Sequence, residues 1–285
     1  MEDNKLKSIK KLVIEVSKAD INVLIVGEVG TGKELTAYNI HDFSSRRDKP
    51  FIIVNITTIT SIEKIVSYFE KAEGGTLYLD EIGNLETEEQ ERLLDILQTG
   101  KIDSSSGVGK KDIDVIIIAG TKRDLQAEVI KGRFSSELYY ILNGFTINLP
   151  PLREYGEEII ELAEMFILEY CKKNRKPIKH LSQGAKDILL SYDYPQNIRE
   201  LKAIIELTLM MAELQIIYPQ DIYLRQNIRK VEFLAVERTL QEYESIIVGS
   251  FLKKYDNRVY YVAEKLGVSK NKIYSMINKG IVDND

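Results

Sequence analysis

The segment Gly27-Glu28-Val29-Gly30-Thr31-Gly32-Lys33-Glu34 joins three glycines and a lysine directly after the apolar run Val23-Leu24-Ile25-Val26. A strand that ends in glycines and opens a helix leaves backbone N–H groups pointing inward, and with the helix dipole they favour an anionic phosphate. Gly27, Gly30 and Gly32 permit a tight turn and close backbone approach, and Lys33 can reach terminal phosphates. Glu28 and Thr31 belong to the same loop, so they count among the candidate nucleotide contacts. The general pattern places Ser or Thr after the lysine, with its hydroxyl on magnesium; here that residue is Glu34. Further along stands Gly74-Gly75-Thr76-Leu77-Tyr78-Leu79-Asp80-Glu81. Asp80, closing an apolar stretch, is the best carboxylate for the magnesium side, and Glu81 beside it is positioned to polarise an attacking water. A lone glycine-rich turn is often only a strand-to-helix corner, and an Asp-Glu pair is often a solvated strand end. Both signals in one chain, in order and each after a strand-like run, point to nucleotide binding.

These residues need a sheet to hold them. Short apolar runs at Val23–Val26, Phe51–Val54, Leu77–Leu79, Val115–Ala119 and Phe145–Ile147 alternate with helical patterns. Strands separated by helices imply an α/β layer with a parallel sheet and helices on both faces. Ligands then sit at the carboxyl ends of the strands, where the glycine loop and Asp80 fall. Pro150-Pro151 ends this layer, because proline continues neither a ladder nor a helix interior. From Glu157 to about Arg225 the period becomes helical: Ile159, Ile160, Leu162, Ala163, Phe166 and Ile167 give one apolar face, and Ile198, Leu201, Ile204, Ile205 and Leu207 another. A last unit has helical patterns at Glu232–Lys254, Val259–Leu266 and Ser269–Asn278, with Gly267 where a tight turn needs it. The expected domains are residues 1–150, 151–229 and 230–285. Ser104-Ser105-Ser106-Gly107 reads as a flexible loop.

A chain of 285 residues suggests two or three units, and 44% apolar residues suffice for packed cores. The net charge of -5 excludes a generally basic nucleic-acid coat, so any DNA contact is local. Cys171, the only cysteine, excludes an internal disulfide and fits a reducing cytoplasm; it reads as a small buried apolar residue on a helix from Glu161 to Lys172. No apolar stretch approaches the ~20 residues that span a bilayer, and the charged start is no signal peptide. The expectation is a cytoplasmic protein with no membrane partner. His41 and His180 lack ligand-spaced partners and read as ordinary histidines.

Over almost its whole length the chain resembles the AAA+ bacterial enhancer-binding proteins that activate sigma-54 RNA polymerase. Gly27–Leu35, followed by Ala37, Ile40, His41 and Ser44, is similar to that family's phosphate loop and helix, including its usual Glu at position 34. Gly74–Gly83 resembles its magnesium and water-activating strand, and Phe145–Glu154 its link to a helical lid. Tyr194-Pro195-Gln196-Asn197-Ile198-Arg199-Glu200-Leu201 resembles the lid signature. The resemblance implies an AAA+ P-loop core of three layers with a helical lid subdomain, ATP or ADP with Mg2+ as cofactors, and assembly into a homo-oligomer. It also implies that Arg199 senses the phosphates, that Asn55 holds Glu81 until the terminal phosphate state changes, and that Thr121 is the first sensor. The residues themselves leave Asn55 open as a strand-end turn residue and Thr121 as a β-branched strand residue.

Three departures bear on mechanism. The family's long insertion with a Gly-Ala-Phe-Thr-Gly-Ala tip, which touches the sigma factor, has no counterpart between Asn55 and Gly74. The resemblance thus implies sigma-54 RNA polymerase as a partner, but without the family's usual contact loop. The family's Phe-Arg-x-Asp-Leu-Tyr-Tyr-Arg-Leu segment, which lends arginines to a neighbouring subunit, is matched by Phe134-Ser135-Ser136-Glu137-Leu138-Tyr139-Tyr140-Ile141-Leu142, with both arginines gone. Such a finger contributes ~10³ to 10⁵ in turnover. Arg133 stands two positions earlier, but on a helix that shift turns a side chain by about 200°. Slow or absent hydrolysis is expected. Thirdly, Lys122 replaces the usual Asn after the sensor threonine.

Asn257 to Ile281 resembles the Fis-type helix-turn-helix at the end of this family, a small all-α domain. Ala263, Leu266, Gly267, Val268, Ile273 and Tyr274 take its core and turn positions, leaving Lys270, Asn271, Lys272, Ser275, Asn278 and Lys279 outward. From Ser250 to Val282, seven Lys or Arg face two Asp or Glu, a local charge of +5 against the sign of the whole chain. A basic second helix can enter the major groove of double-stranded DNA, lysines on phosphates and Asn or Ser on base edges. A plain solvated basic face on a packing unit is the competing reading. The expectation is a DNA-binding transcriptional regulator with a nucleotide-gated AAA+ core and, with only about twenty residues before the first strand, no preceding sensor domain. The alternative is an active ATPase that remodels sigma-54 RNA polymerase or another protein. A small-molecule kinase is a remote third reading, disfavoured by the lid signature around Arg199.

Overall fold

The structure is a computed structural model that describes residues 5–58, 62–103, 109–212, 214–224, 239–255 and 258–278. Its contacts divide the chain into two units, Met1–Tyr223 and Leu224–Asp285. The first carries strands β1 (Val23–Gly27), β2 (Phe51–Asn55), β3 (Thr76–Asp80), β4 (Lys101–Asp103), β5 (Lys110–Asp112), β6 (Ile116–Thr121) and β7 (Phe145–Leu149). Helices α1 (Lys5–Val16), α2 (Lys33–Asp42), α3 (Ile62–Lys71), α4 (Thr87–Thr99), α5 (Leu125–Ile130) and α6 (Ser136–Leu142) accompany them. The sheet order is β2-β3-β6-β1-β7, with every neighbouring pair parallel.

Both faces of this sheet are buried, which is why its strands read as near-continuous apolar runs rather than alternating ones. One face packs Ile25, Tyr78, Ile118 and Ile147 against Val13 and Val16 of α1 and Ala37 and Ile40 of α2. The other packs Leu24, Leu77, Leu79 and Ile117 against Phe69 of α3, Leu93 and Ile96 of α4, and Leu138 and Leu142 of α6. Each such side chain contributes roughly 1.5–3 kcal/mol on burial. The expected α/β three-layer core is therefore the observed one. The antiparallel pair of β4 and β5 adds to the predicted strands; the Ser104–Gly107 loop, expected to be flexible, lies outside the described residues.

The lid follows with α7 (Glu158–Lys173), β8 (His180–Leu181), α8 (Gln183–Leu190), α9 (Asn197–Met211) and β9 (Ile216–Ile217). On α7 the predicted face of Ile159, Ile160, Leu162, Ala163, Phe166 and Ile167 is buried, together with Cys171. On α9, Leu201, Ile204 and Ile205 are buried, but Leu207 is exposed. A short parallel pair of β8 and β9 lies within the otherwise helical lid. Buried Lys179 donates from Nζ to the carbonyls of Ala212 (2.8 Å) and Leu214 (2.5 Å), satisfying the open end of α9.

In the second unit, α10 (Leu240–Lys254), α11 (Val259–Leu266) and α12 (Lys270–Asn278) enclose Val248, Leu252, Val262, Ala263, Ile273 and Met276. Thr239 and Glu242 form a capping box that starts α10 at Leu240, so the helical pattern expected over Glu232–Lys254 does not run unbroken; its first part lies outside the described residues. Gly267 closes α11 at φ 65°, as its turn position required. Tyr274, expected in the core, is 51% exposed, and Met276 takes that place. The reason is helical period: positions 273 and 276 share a face, whereas 274 is turned about 100° away.

Candidate nucleotide-binding site

The carboxyl edge of the sheet gathers the predicted residues. Asn55 ends β2 and pairs in register with Asp80, which ends β3; Asp80 pairs with Gly120, and Val26 with Thr121 at the end of β6. Gly27 ends β1 opposite Leu149 of β7. The loop then turns through Gly30 (φ +79°) and Gly32 (φ +95°) into α2. A Cβ at Gly30 would lie 2.0 Å from the Gln196 carbonyl oxygen, so this glycine is required twice over, for its backbone and for the lid above it. Thr31 Oγ1 donates to Glu28 O at 2.9 Å and braces the turn.

Lys33 is buried. Its Nζ donates to Gly27 O (2.9 Å) and Glu28 O (3.2 Å) and stands 3.7 Å from Glu81 Oε1. Thr36 N–H, bonded to Gly32 O, closes the first turn of α2. The N–H groups before it face the loop without helical partners. Exposed Glu34 follows in that first turn. A cradle of left-handed glycines, open N–H groups and an interior ammonium fits a nucleotide's phosphates. Asp80 fits one magnesium carboxylate, since that ion takes one or two from protein and the remainder from phosphate and water. Glu81 adopts φ 58°, a left-handed backbone rare outside glycine, asparagine and aspartate. Strain of this kind concentrates where a side chain must be aimed.

The two candidate sensor residues, Asn55 and Thr121, make local hydrogen bonds. Asn55 Oδ1 accepts from the Thr57 N–H (2.9 Å) and the Thr57 hydroxyl (2.6 Å), a local turn that commits its oxygen. Among the described residues no hydrogen bond joins Asn55 to Glu81, whose carboxylate faces Lys33 instead. Thr121 is wholly buried and accepts from Arg123 N–H at 3.0 Å. Arg123 in turn donates to Gly83 O at 2.7 Å, linking the end of β6 to the turn that carries Glu81.

The lid rests on the phosphate loop. Arg199 is exposed in the first turn of α9, and its N–H donates to Gly30 O at 3.3 Å. Asn197, fully buried at φ 53°, accepts from Leu152 N–H (2.8 Å) and donates to Glu28 Oε2 (3.1 Å) and Val29 O (2.9 Å). Arg153 grips both Glu28 oxygens at 3.0 and 2.7 Å. The Arg153 hydrogen bonds, then that from Asn197, hold the Glu28 carboxyl down at about 2. The motifs containing Asn197 and Arg153 stood out in the sequence, but the two side chains had no role there. An asparagine's tolerance of left-handed backbone was the available signal for Asn197.

Arg133 is not on a helix. It precedes Ser135, which caps α6 by accepting from Leu138 N–H, so no helical turn relates its side chain to position 135. Instead the Arg133 guanidinium is tied to Glu128 by two bonds, at 2.7 and 2.6 Å. On α12, Lys270, Asn271, Lys272 and Ser275 are exposed as expected, with Lys272 paired to Glu244 at 2.9 Å. Lys279 and the side chain of Asn278 lie outside the described residues. His41 is buried with Nδ1 2.9 Å from Thr76 Oγ1, and burial lowers its pKa. No described helix is long and apolar enough to cross a membrane.

The sigma-54 interaction domain family matches residues 1–68 and 60–148, and the AAA+ ATPase lid domain family matches residues 153–232. A Geobacillus stearothermophilus protein named limonene hydroxylase is 35% identical over 92% of this chain and 52% of its own length. The transcriptional regulatory protein ZraR of Salmonella typhi is 32% identical over 93% of this chain and 64% of its own length. The chain thus spans about half to two thirds of these relatives. The crystal structure of NtrX from Brucella abortus in complex with ATP superposes with a TM-score of 0.71 at 22% identity, covering 96% of this chain and 67% of that one. That likeness shows the fold, an AAA+ P-loop core with a helical lid.

Proposed function

Because the chain belongs to the sigma-54 activator family of AAA+ proteins, we propose that it is a transcriptional regulator that binds ATP or ADP with Mg2+ and contacts DNA through its second unit. The observation that carries the reading is the loop itself: Lys33, buried between loop carbonyls and Glu81, stands under a lid that docks on Gly30. Gly27, Gly30, Thr31, Gly32, Lys33 and Glu34 supply the phosphate cradle, and Asp80 the magnesium carboxylate. Bound magnesium supplies charge neutralisation on the phosphates. Arg199 reports phosphate occupancy to the lid and Thr121 reports it at the end of β6, whereas Asn55 holds Glu81 only in a state in which it has left its turn with Thr57. The nucleotide then acts as a conformational or assembly switch, since a ligand shifts only those states it binds unequally.

Hydrolysis is slow or absent in this reading. Position 135 caps a helix and position 141 is an isoleucine, so neither offers a guanidinium to a neighbouring subunit. Arg133 is held within its own chain by Glu128. The family implies sigma-54 RNA polymerase and a homo-oligomer as partners. Only Ile56–Glu73 separates Asn55 from Gly74, and the two family matches overlap at residues 60–68, which supports a lost contact loop. Lys270, Asn271, Lys272, Ser275, Asn278 and Lys279 are the DNA candidates. The retained Asp80 and Glu81 favour the second reading, an active ATPase that remodels a partner. Turnover of the wild type beside Glu81→Gln separates them: equal, low rates support the switch, and a large drop from a fast wild type refutes it.

A further inference from the structure

Tyr78 stands out within β3. Its neighbours Leu77 and Leu79 face the α3 and α4 side, whereas Tyr78 shares the opposite face with Thr76 and Asp80, as the period of two requires. A tyrosine with no exposed surface needs a partner for its hydroxyl. That partner is Asp80: the hydroxyl donates to Asp80 Oδ1 at 2.9 Å. The space for it comes from the adjacent strand. Gly120 is in register with Asp80, and a Cβ there would stand 2.3 Å from the Tyr78 hydroxyl oxygen, 3.0 Å from its ring carbon and 3.1 Å from Asp80 Oδ1. Gly120 has no left-handed backbone that would otherwise require glycine. Its missing side chain is accounted for by this hydroxyl.

We propose that Tyr78 is a positioning residue for Asp80: seated in the space left by Gly120, its hydroxyl occupies one carboxylate oxygen and reserves the other for nucleotide-bound magnesium. This rests on the reading of Asp80 as the magnesium carboxylate. Asp80 ends a strand, and a donor one pleat earlier fixes its torsion before any cation arrives. Outer partners that orient a metal-binding carboxylate typically govern 10- to 100-fold in metal affinity. The effect is specific to the magnesium-dependent part of nucleotide binding, because Tyr78 lies beneath the sheet edge and Lys33 and the loop glycines bind phosphate without it.

The test is fluorescent ATP-analogue binding to the full chain, titrated with free Mg2+ and repeated without it. Tyr78→Phe removes only the hydroxyl and is expected to raise the Mg2+ midpoint about tenfold, leaving Mg2+-free affinity within about twofold. Gly120→Ala, whose Cβ would crowd the hydroxyl, its ring carbon and Asp80 Oδ1 together, is expected to raise the midpoint at least as far. In the Tyr78→Phe background, Gly120→Ala adds a smaller shift than it does alone, because the two changes share the hydroxyl contact. A Tyr78→Phe midpoint within about twofold of the wild type overturns the proposal, and so does an equal loss with and without Mg2+. A wild type that binds the analogue with no response to Mg2+ overturns the assignment of Asp80 as well. If Gly120→Ala does not fold, Tyr78→Phe alone decides.

Discussion

Replacing Asn197 by alanine tests how far this buried side chain fastens the lid to the phosphate loop. The amide serves Leu152 N–H, Val29 O and Glu28 at once. Truncation leaves a buried donor at Leu152 without its partner, at about 1–3 kcal/mol, and loses the Val29 and Glu28 bonds at about 1 kcal/mol together. Alanine also fits φ 53° less well than asparagine, adding about 1 kcal/mol. The sum, about 4 kcal/mol, corresponds to a fall in Tm of roughly 8–16 °C for a unit of this size. Circular dichroism of the full chain during heating reads it directly. Asn197→Gly removes the backbone penalty but not the lost bonds, so it should recover about 1 kcal/mol of the loss. Asn197→Asp keeps an acceptor for Leu152 but sets a second carboxylate beside Glu28; its deficit should shrink as pH falls and the carboxylates protonate. A fall of under about 3 °C for Asn197→Ala would refute the fastening role.

Further predictions concern charge. The Glu28 carboxyl is lowered to about 2 by Arg153 and Asn197, so its contribution to stability is fully present above the ordinary carboxylate value and is lost as pH falls toward 2. Tm measured across that window should fall less steeply in Arg153→Gln than in the wild type, and the difference should narrow in high salt because both partners are nearly half exposed. Ser135→Arg removes the cap of α6 at about 1 kcal/mol, yet should raise ATP turnover at protein concentrations where the chain assembles; a steady-state phosphate-release assay checks both directions against calorimetry. Glu244→Gln releases Lys272 from its ion pair and should tighten DNA binding at low salt while steepening its salt dependence, whereas Lys270→Ala should weaken binding and flatten that slope, both read by fluorescence anisotropy.

The sheet and the phosphate loop were legible because periodicity and glycine placement encode them locally. Val23–Val26 and Leu77–Leu79 could hardly be other than buried strands once helices alternated with them. The side-chain partnerships were less legible. Asn197 reaches Glu28 across most of the unit, and nothing in either neighbourhood records the other. Tyr78 looked like any aromatic strand residue until Gly120 came beside its neighbour in register. Arg133 lies off the helix because Ser135, a good capping residue, starts α6 after it. Tyr274 was placed in the core by motif likeness, and the period of α12 put Met276 there.

Strand β7 pairs with β1 along five residues, from Val23 opposite Phe145 to Gly27 opposite Leu149. Both strands run the same way, so α1 leads into one end of the pair and the lid leaves from the other. Tension applied between the N-terminal helix and the lid would load these strands in shear, stressing their hydrogen bonds together rather than one after another. The phosphate loop and the lid linker leave the sheet at the same level, and the Glu28, Arg153 and Asn197 contacts join them just beyond it. Pulling on the lid would therefore strain the nucleotide pocket first, while the strands beneath stay in register.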